Sequence, residues 1–367
     1  MPEILLLCEY PTLNGGERSM LATFDGVRAA GFAPAVMAPP RGPLADALAA
    51  GDIELLPLEC RSADGSRVAQ SRLREELSAA IRRRRPALLH ANSLATGRLL
   101  GPVAAQLGLP SLGHLRDIVG LSAQAVADLN CHARLLAVSH ATRAFHVAGG
   151  LTAEKVHVVY NGVDLSEFQP RSPTGYVHRE LGLLPEAQLI GVIGQIGLRK
   201  GQDVLLHAAA RIADQSPNVH YVIVGRRHSE KEESRRFERE LHKSLSQWVH
   251  FLGVRTDVAR LLNELTLLVH AARQEPLGRV LLEAAAAGAA IVATDVGGTP
   301  EIFPPEKHAA RLVPPDDAHA LADAILELLG DSALRGRLAI AARRRAEEQF
   351  DIQASVGSLL QHYRALA

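Results

Sequence analysis

Leu189-Ile190-Gly191-Val192-Ile193-Gly194-Gln195-Ile196-Gly197-Leu198-Arg199-Lys200-Gly201-Gln202-Asp203 passes from an apolar segment through a glycine-rich turn into a helix start. Leucine and β-branched residues suit a buried strand, the glycines break it, and residues 201–213 have helical spacing. The same alternation extends on both sides. Upstream, strands are expected at residues 4–8, 35–37, 53–56, 87–90, 111–114 and 135–138, with helices at 17–30 and 67–85, the second stopped by Pro86. Downstream, strands are expected at 219–224, 249–252, 267–269 and 290–293, and residues 317–367 read as helical. Such alternation implies parallel sheets covered on both faces. Residues 166–185 hold three prolines and two glycines with weak periodicity, which suits a linker. The expected fold is therefore α/β, two doubly wound Rossmann-like domains facing across a cleft, with ligands beyond the carboxyl ends of the strands.

The 367 residues are 47% hydrophobic and 22% charged, enough apolar material for two cores and too much for a disordered chain. Forty Lys and Arg balance forty Asp and Glu. A net charge of zero gives no global attraction to nucleic acid, and none is expected as a partner. No apolar run approaches the ~20 residues of a membrane span, so membrane contact is expected to be peripheral at most. Residues 1–8 have no basic segment ahead of their apolar stretch and read as a first strand rather than a signal peptide. Cys8, Cys60 and Cys131 are widely spaced, which fits a reducing cytoplasm and argues against a disulfide framework. No two of the sixteen histidines show metal-ligand spacing on one face, so no protein-held metal is expected.

Four segments have the composition of ligand sites. The sharpest is Arg273-Gln274-Glu275-Pro276-Leu277-Gly278-Arg279-Val280-Leu281-Leu282-Glu283-Ala284-Ala285-Ala286-Ala287-Gly288. Its two glutamates are eight residues apart, with Glu275 expected just before a helix and Glu283 near its start. A helix N-terminus carries about half a positive charge and unpaired donors, which attract phosphate. A carboxylate close by can accept two hydrogen bonds from a vicinal diol such as a ribose. Taken alone, the pair reads equally as a helix cap and a solvated acid. In the 189–203 segment, Arg199 and Lys200 suit a diphosphate, arginine by its fork and lysine as a point charge. Lysine is scarce here, five against 35 arginines. That turn is neither a G-x-G-x-x-G fingerprint nor a P-loop, which weakens dehydrogenase and NTPase readings, and alone it reads as a basic cap on a surface helix. Asn14-Gly15-Gly16-Glu17-Arg18-Ser19-Met20 follows the first strand, and its glycines permit close approach of a ligand, as they do in any βα turn. Ser111-Leu112-Gly113-His114-Leu115-Arg116-Asp117 places His114 at a strand end, suited to a sugar hydroxyl, although a lone histidine is more often structural. Arg82-Arg83-Arg84-Arg85 closes a helix, where cations suit the dipole, and reads as solvated or as a contact for anionic lipid.

Together these segments resemble the family-4 retaining glycosyltransferases of the GT-B fold. The block from Glu275 to Glu283 looks like the family's E-x7-E motif. It is followed, as in the family, by Ile291-Val292-Ala293-Thr294-Asp295-Val296-Gly297-Gly298-Thr299-Pro300-Glu301. Val138-Ser139 and Tyr160-Asn161-Gly162-Val163-Asp164, with Phe168 and Pro170, look like the family's run into its interdomain linker. The resemblance implies an acceptor-side domain over residues 1–165, a linker at 166–187 and a nucleotide-sugar domain over 188–349, with the last helix, about 350–367, packing back on the first. It implies that Glu283 binds the ribose, Glu275 the transferred sugar, and Lys200 the diphosphate. Amides around Leu277 and Gly278 would hold sugar and phosphate. Gly15 and Gly16 would lie by diphosphate and acceptor, His114 near the sugar, and Gly253 and Val254 by the base. Gln195 stands where the family often has arginine, and Arg199 is expected to compensate. Ala271-Ala272 stands where many members have Pro-Ser. No cofactor is implied beyond a nucleoside-diphosphate sugar, with UDP the commonest form in the family and GDP or ADP as the others. The acceptor would be a glycan, a lipid-linked sugar or a small molecule, in bacterial glycan or glycolipid synthesis, in the cytoplasm with the inner face of the membrane as the alternative. Readings kept beside this one are an epimerase of the same fold, a non-catalytic nucleotide-sugar-binding module and, more distantly, an oxidoreductase.

Overall fold

A computed structural model describes residues 1–62, 65–213, 215–227, 229–243 and 247–367. The chain divides into two units, Met1–Gly162 with Ile352–Ala367, and Val163–Asp351. The first unit runs β1 (Glu3–Leu7), α1 (Gly15–Leu21), α2 (Phe24–Ala29), β2 (Ala33–Ala38), α3 (Pro43–Ala50), β3 (Glu54–Pro57), α4 (Gln70–Arg84), β4 (Leu88–Ala91), α5 (Leu94–Leu107), β5 (Ser111–Leu115), α6 (Ala123–Asn130), β6 (Arg134–Ala137), α7 (His140–Ala148) and β7 (Val156–Val158). The second runs α8 (Tyr176–Leu181), β8 (Gln188–Ile193), α9 (Gln202–Ala213), β9 (Val219–Val224), α10 (Glu232–Lys243), β10 (Val249–Gly253), α11 (Val258–Leu262), β11 (Leu267–His270), α12 (Arg279–Ala286), β12 (Ile291–Thr294), α13 (Thr299–Ile302), β13 (Arg311–Val313), α14 (Ala318–Gly330) and α15 (Ser332–Gln349). The final helix, α16 (Ile352–Arg364), belongs to the first unit.

Each unit holds one parallel sheet. The first has the order β3-β2-β1-β4-β5-β6-β7 and the second β10-β9-β8-β11-β12-β13. In both, the strand order reverses beside the unit's first strand, between β1 and β4 in one and between β8 and β11 in the other. A doubly wound sheet leaves a crevice at that reversal, beyond the carboxyl ends of the two strands. Both faces of the first sheet are buried, and alternate residues serve alternate faces. Ile4, Leu6, Val36, Leu88 and Leu112 join one core, whereas Leu5, Leu7, Ala35, Leu89 and Ala91 join the other. The first of these cores is completed by α16, through Ile352, Val356, Leu359, Leu360 and Tyr363. A methyl group at Gly26 in α2 would come 2.5 Å from Val356, so glycine lets the two helices approach closely.

The expected helix over 17–30 is instead two, α1 and α2, and α1 already includes Gly15 and Gly16. Glu17 reaches back to accept the Asn14 amide at 3.1 Å, which starts the helix two residues early. The Thr23 hydroxyl donates to the Met20 carbonyl at 2.7 Å, where the first helix ends. The short strands β7 and β13 have three residues each and leave no readable alternation. Among the described residues no helix is long and apolar enough to cross a membrane.

Candidate active site

In the second unit the turn after β8 and the loop after β11 both leave the sheet at the reversal of strand order. The first delivers Lys200, the second Glu275. Gly201 has a φ of +63°, and a Cβ there would lie 1.9 Å from the Ala271 carbonyl oxygen, so glycine is required for the two segments to meet. Gly297 does the same from the far side. Its φ is +54°, and a Cβ would lie 1.9 Å from the Glu275 carbonyl oxygen, which itself accepts the Gly298 amide at 3.0 Å. The Glu275 loop is thus held between two glycine turns.

The Lys200 ammonium pairs with Glu275 Oε2, and His270 Nε2 lies 2.8 Å from the same oxygen. Glu275 is 6% exposed and His270 4%. Burial alone raises the Glu275 carboxyl, but Lys200, the His270 hydrogen bond and nearby Arg199 outweigh it and hold the group well below the usual carboxylate range. Burial, and then Lys200, lower His270, so its ring is neutral at pH 7 and Nε2–H donates to the carboxylate. Arg199 Nη1 donates to the Gln274 carbonyl at 3.1 Å and braces the loop. Glu275 therefore faces Lys200 and His270 rather than the amides of the following helix.

That helix, α12, begins behind Gly278, whose φ of +101° turns the chain into it. Leu277 is buried beside it. Glu283 lies one turn in and accepts from Arg279 Nε at 2.6 Å. Arg279 Nη1 is buried with no hydrogen-bond partner among the described residues. Glu283 is thus paired with Arg279. Gln195 is exposed, and its carbonyl accepts from Gln202 at 2.9 Å. Gly253 and Val254 lie exposed at the end of β10, tied through the Gly253 carbonyl to the Gly225 amide at 2.7 Å.

The remaining predicted residues belong to the first unit. Gly16 lies against Arg116, whose Cδ would be 3.1 Å from a Cβ there, while Gly15 faces open space. His114, next to last in β5, lies beside His90 of β4, the two rings stacked with centroids 5.4 Å apart. His114 is buried, and burial followed by Arg116 and His90 hold it well below the usual histidine value. Sequence reasoning overlooked His270, His90 and Arg116. Each follows an apolar strand segment as the last polar residue before a loop, a weak signal in a chain with sixteen histidines. Among the described residues no three His, Cys, Asp or Glu side chains gather as a metal site.

Residues 13–167 match the family model described as Glycosyltransferase Family 4, and residues 187–331 the one described as Glycosyl transferases group 1. The chain is similar to spore coat protein SA of Bacillus subtilis, 30% identical over 222 residues, covering 57% of this chain and 58% of that protein. It is also similar to D-inositol 3-phosphate glycosyltransferase of Jonesia denitrificans, 33% identical over 214 residues, covering 55% and 50%. The chain thus spans only half to three-fifths of the length of these relatives. Among solved structures, Anabaena Alr3699/HepE in complex with UDP and glucose has a TM-score of 0.87 over the whole of both chains at 23% identity, a likeness of fold.

Proposed function

The chain belongs to the family-4 glycosyltransferases and has their GT-B fold, and from that premise we propose that it moves a hexose from a nucleoside-diphosphate sugar to a hydroxyl acceptor with retention of anomeric configuration. The single observation that carries this reading is the buried Lys200–Glu275–His270 cluster at the strand-order reversal of the second sheet, one turn ahead of α12. The donor is read as a UDP-sugar, in keeping with the UDP and glucose bound by the HepE structure. GDP- and ADP-sugars are the alternatives, and the acceptor class is glycan, glycolipid or small molecule.

In this reading the diphosphate lies against the Lys200 ammonium and the free amides at the start of α12, beyond Leu277 and Gly278. Glu283 takes the ribose hydroxyls, with Arg279 orienting its carboxylate at 2.6 Å. Glu275 stays ionised under Lys200 and His270 and accepts hydroxyls of the transferred sugar. Gly253 and Val254 flank the base. As the sugar–phosphate bond breaks, negative charge grows on the leaving diphosphate and positive charge on the sugar ring. Lys200 and the helix amides stabilise the first, and the Glu275 carboxylate lies close to the second. The acceptor hydroxyl attacks from the face the diphosphate leaves, and a phosphate oxygen takes its proton. No carboxylate pair spaced for a glycosyl-enzyme intermediate is needed. Arg199, engaged with the Gln274 carbonyl, acts by holding the Glu275 loop.

The test is acceptor-dependent release of UDP from UDP-glucose across a panel of glycan, lipid-linked and small-molecule acceptors, with the product's anomeric proton followed by NMR. The reading predicts an α-linked product from the α-linked donor. An inverted product, or interconversion of the donor sugar without transfer, overturns it.

A further inference from the structure

Arg116 is a cation whose hydrogen bonds reach no carboxylate. Nε donates to the Asn92 carbonyl and side chain at 3.0 and 3.1 Å, Nη1 to Asn161 Oδ1 at 2.9 Å, and Nη2 to Asn92 Oδ1 at 2.8 Å and His114 Nδ1 at 3.2 Å. Four of the five guanidinium hydrogens are thereby engaged, and one on Nη1 is left over. Because His114 Nδ1 accepts from Arg116, the hydrogen of the neutral ring sits on Nε2. His90 agrees with this assignment. Its Nε2 lies 3.2 Å from His114 Nδ1, and its Nδ1 takes the Tyr363 hydroxyl at 2.7 Å.

His114 Nε2 and Ser19 Oγ are both buried and have no hydrogen-bond partner among the described residues. They line one cavity of about 20 Å³ with His90, Arg116, Asn161 and Tyr363. Such a volume admits one oxygen of a larger group but no sugar ring. Leu6, Met20, Val159 and Leu359 make much of the remaining lining apolar, so the unpaired polar atoms need an occupant to satisfy them. The free groups supply three donor hydrogens, those of the His114 imidazole N–H, the spare Arg116 N–H and the Ser19 hydroxyl, the last of which can also accept. Glu17 and Asp117 are the carboxylates whose charge reaches Arg116. Burial raises the Glu17 carboxyl, and its Oε2 is already committed to the Asn14 amide. The polar part of the walls therefore presents positive charge and hydrogens.

We propose that this cavity receives an anionic oxygen, carboxylate or phosphoryl, carried by the acceptor, and so selects acceptors that bear a negative group. Naming the acceptor as carrier rests on the transferase reading; the anion site stands on the geometry alone. Tyr363 and His90 are positioning residues that keep the His114 Nε2 hydrogen directed at that oxygen.

The probes are formate and inorganic phosphate, each titrated against chloride at constant ionic strength, with thermal unfolding as the readout. The proteins are the full chain, Ser19→Ala, Ser19→Leu and Lys200→Ala. Wild type is expected to gain several degrees in Tm with at least one probe at millimolar concentration. Ser19→Ala should weaken the response several-fold, and Ser19→Leu, which fills the void, should abolish it. Lys200→Ala should keep the response while losing UDP binding. Formate alone acting identifies a carboxylate, phosphate alone a phosphoryl group. No response in wild type, a response undiminished in Ser19→Ala, or one lost in Lys200→Ala overturns the proposal. Should Ser19→Leu fail to fold, Ser19→Ala still decides. Absence of UDP binding in wild type with the anion response intact would remove the transferase reading and leave the anion site standing.

Discussion

Lys200 serves two masters, a buried carboxylate and the proposed diphosphate, and its variants separate them. Lys200→Ala should lower kcat/KM about 10²–10³-fold, the loss expected when a donor to a developing oxyanion is removed. It should also cost ~3–5 kcal/mol of stability, because Glu275 is left buried without its cation. Adding Glu275→Gln should recover much of that stability, read by urea unfolding, and none of the turnover. Recovery of turnover in the double variant would confine Lys200 to a structural role. His270 completes the pair from the end of β11, and His270→Ala should cost about 1–3 kcal/mol by stripping a hydrogen bond from a buried carboxylate. The glutamates were visible in the sequence because they stand eight positions apart just ahead of an alanine run. His270 was not, because its importance lies in the fold of the loop back onto its own strand end.

At the level of elements, close approach between loops shapes the second unit, and helix packing shapes the first. Gly201→Ala forces a Cβ into the Ala271 carbonyl at positive φ. It should either unfold the second unit or displace Lys200, and UDP affinity measured on the folded fraction distinguishes the two. In the first unit, Leu359→Ala in α16 should destabilise by ~2–5 kcal/mol, a large-to-small change in a filled core, read as a shift in chemical denaturation midpoint. Strands β8, β9, β11 and β12 were legible as short apolar runs. Long helices such as α4 and α9 were legible by period. The split into α1 and α2 was not, because a side chain reaching back to the Asn14 amide and a threonine bonded to the previous turn are local hydrogen-bond choices that a hydrophobic pattern does not record. Strands of three residues were missed for want of length.

Across the whole molecule, neutral buried histidines set the acid limit of stability. Burial holds His90 at about 3 and His132 at about 4, and lowers His114 and His270 as well. Each takes up a proton on unfolding at a pH where the folded ring stays neutral. Their contribution is therefore complete above about 6.5 and declines as pH falls toward the folded values, by about 1.4 kcal/mol per pH unit for each group. The Glu275 pairing adds to this only below the ordinary carboxylate value, since its folded carboxyl titrates lower still. Urea midpoints should therefore begin to fall between pH 6.5 and 5, before carboxylates titrate, and a flat profile down to pH 5 would contradict that. Two parallel sheets that share the order of their first six strands put the loops carrying the candidate residues at corresponding reversals, and the parallel, doubly wound plan was readable from the alternation of strand and helix. The pairing of Lys200 with Glu275 and of His90 with His114 was not readable, because the partners come from different strands. The central claim is that the second sheet's reversal point holds a nucleoside diphosphate. Calorimetric titration of UDP into wild type and Glu283→Gln tests it most directly: the account predicts one UDP per chain, weakened tenfold or more in the variant, and no binding of UDP, or equal binding by both proteins, would contradict it.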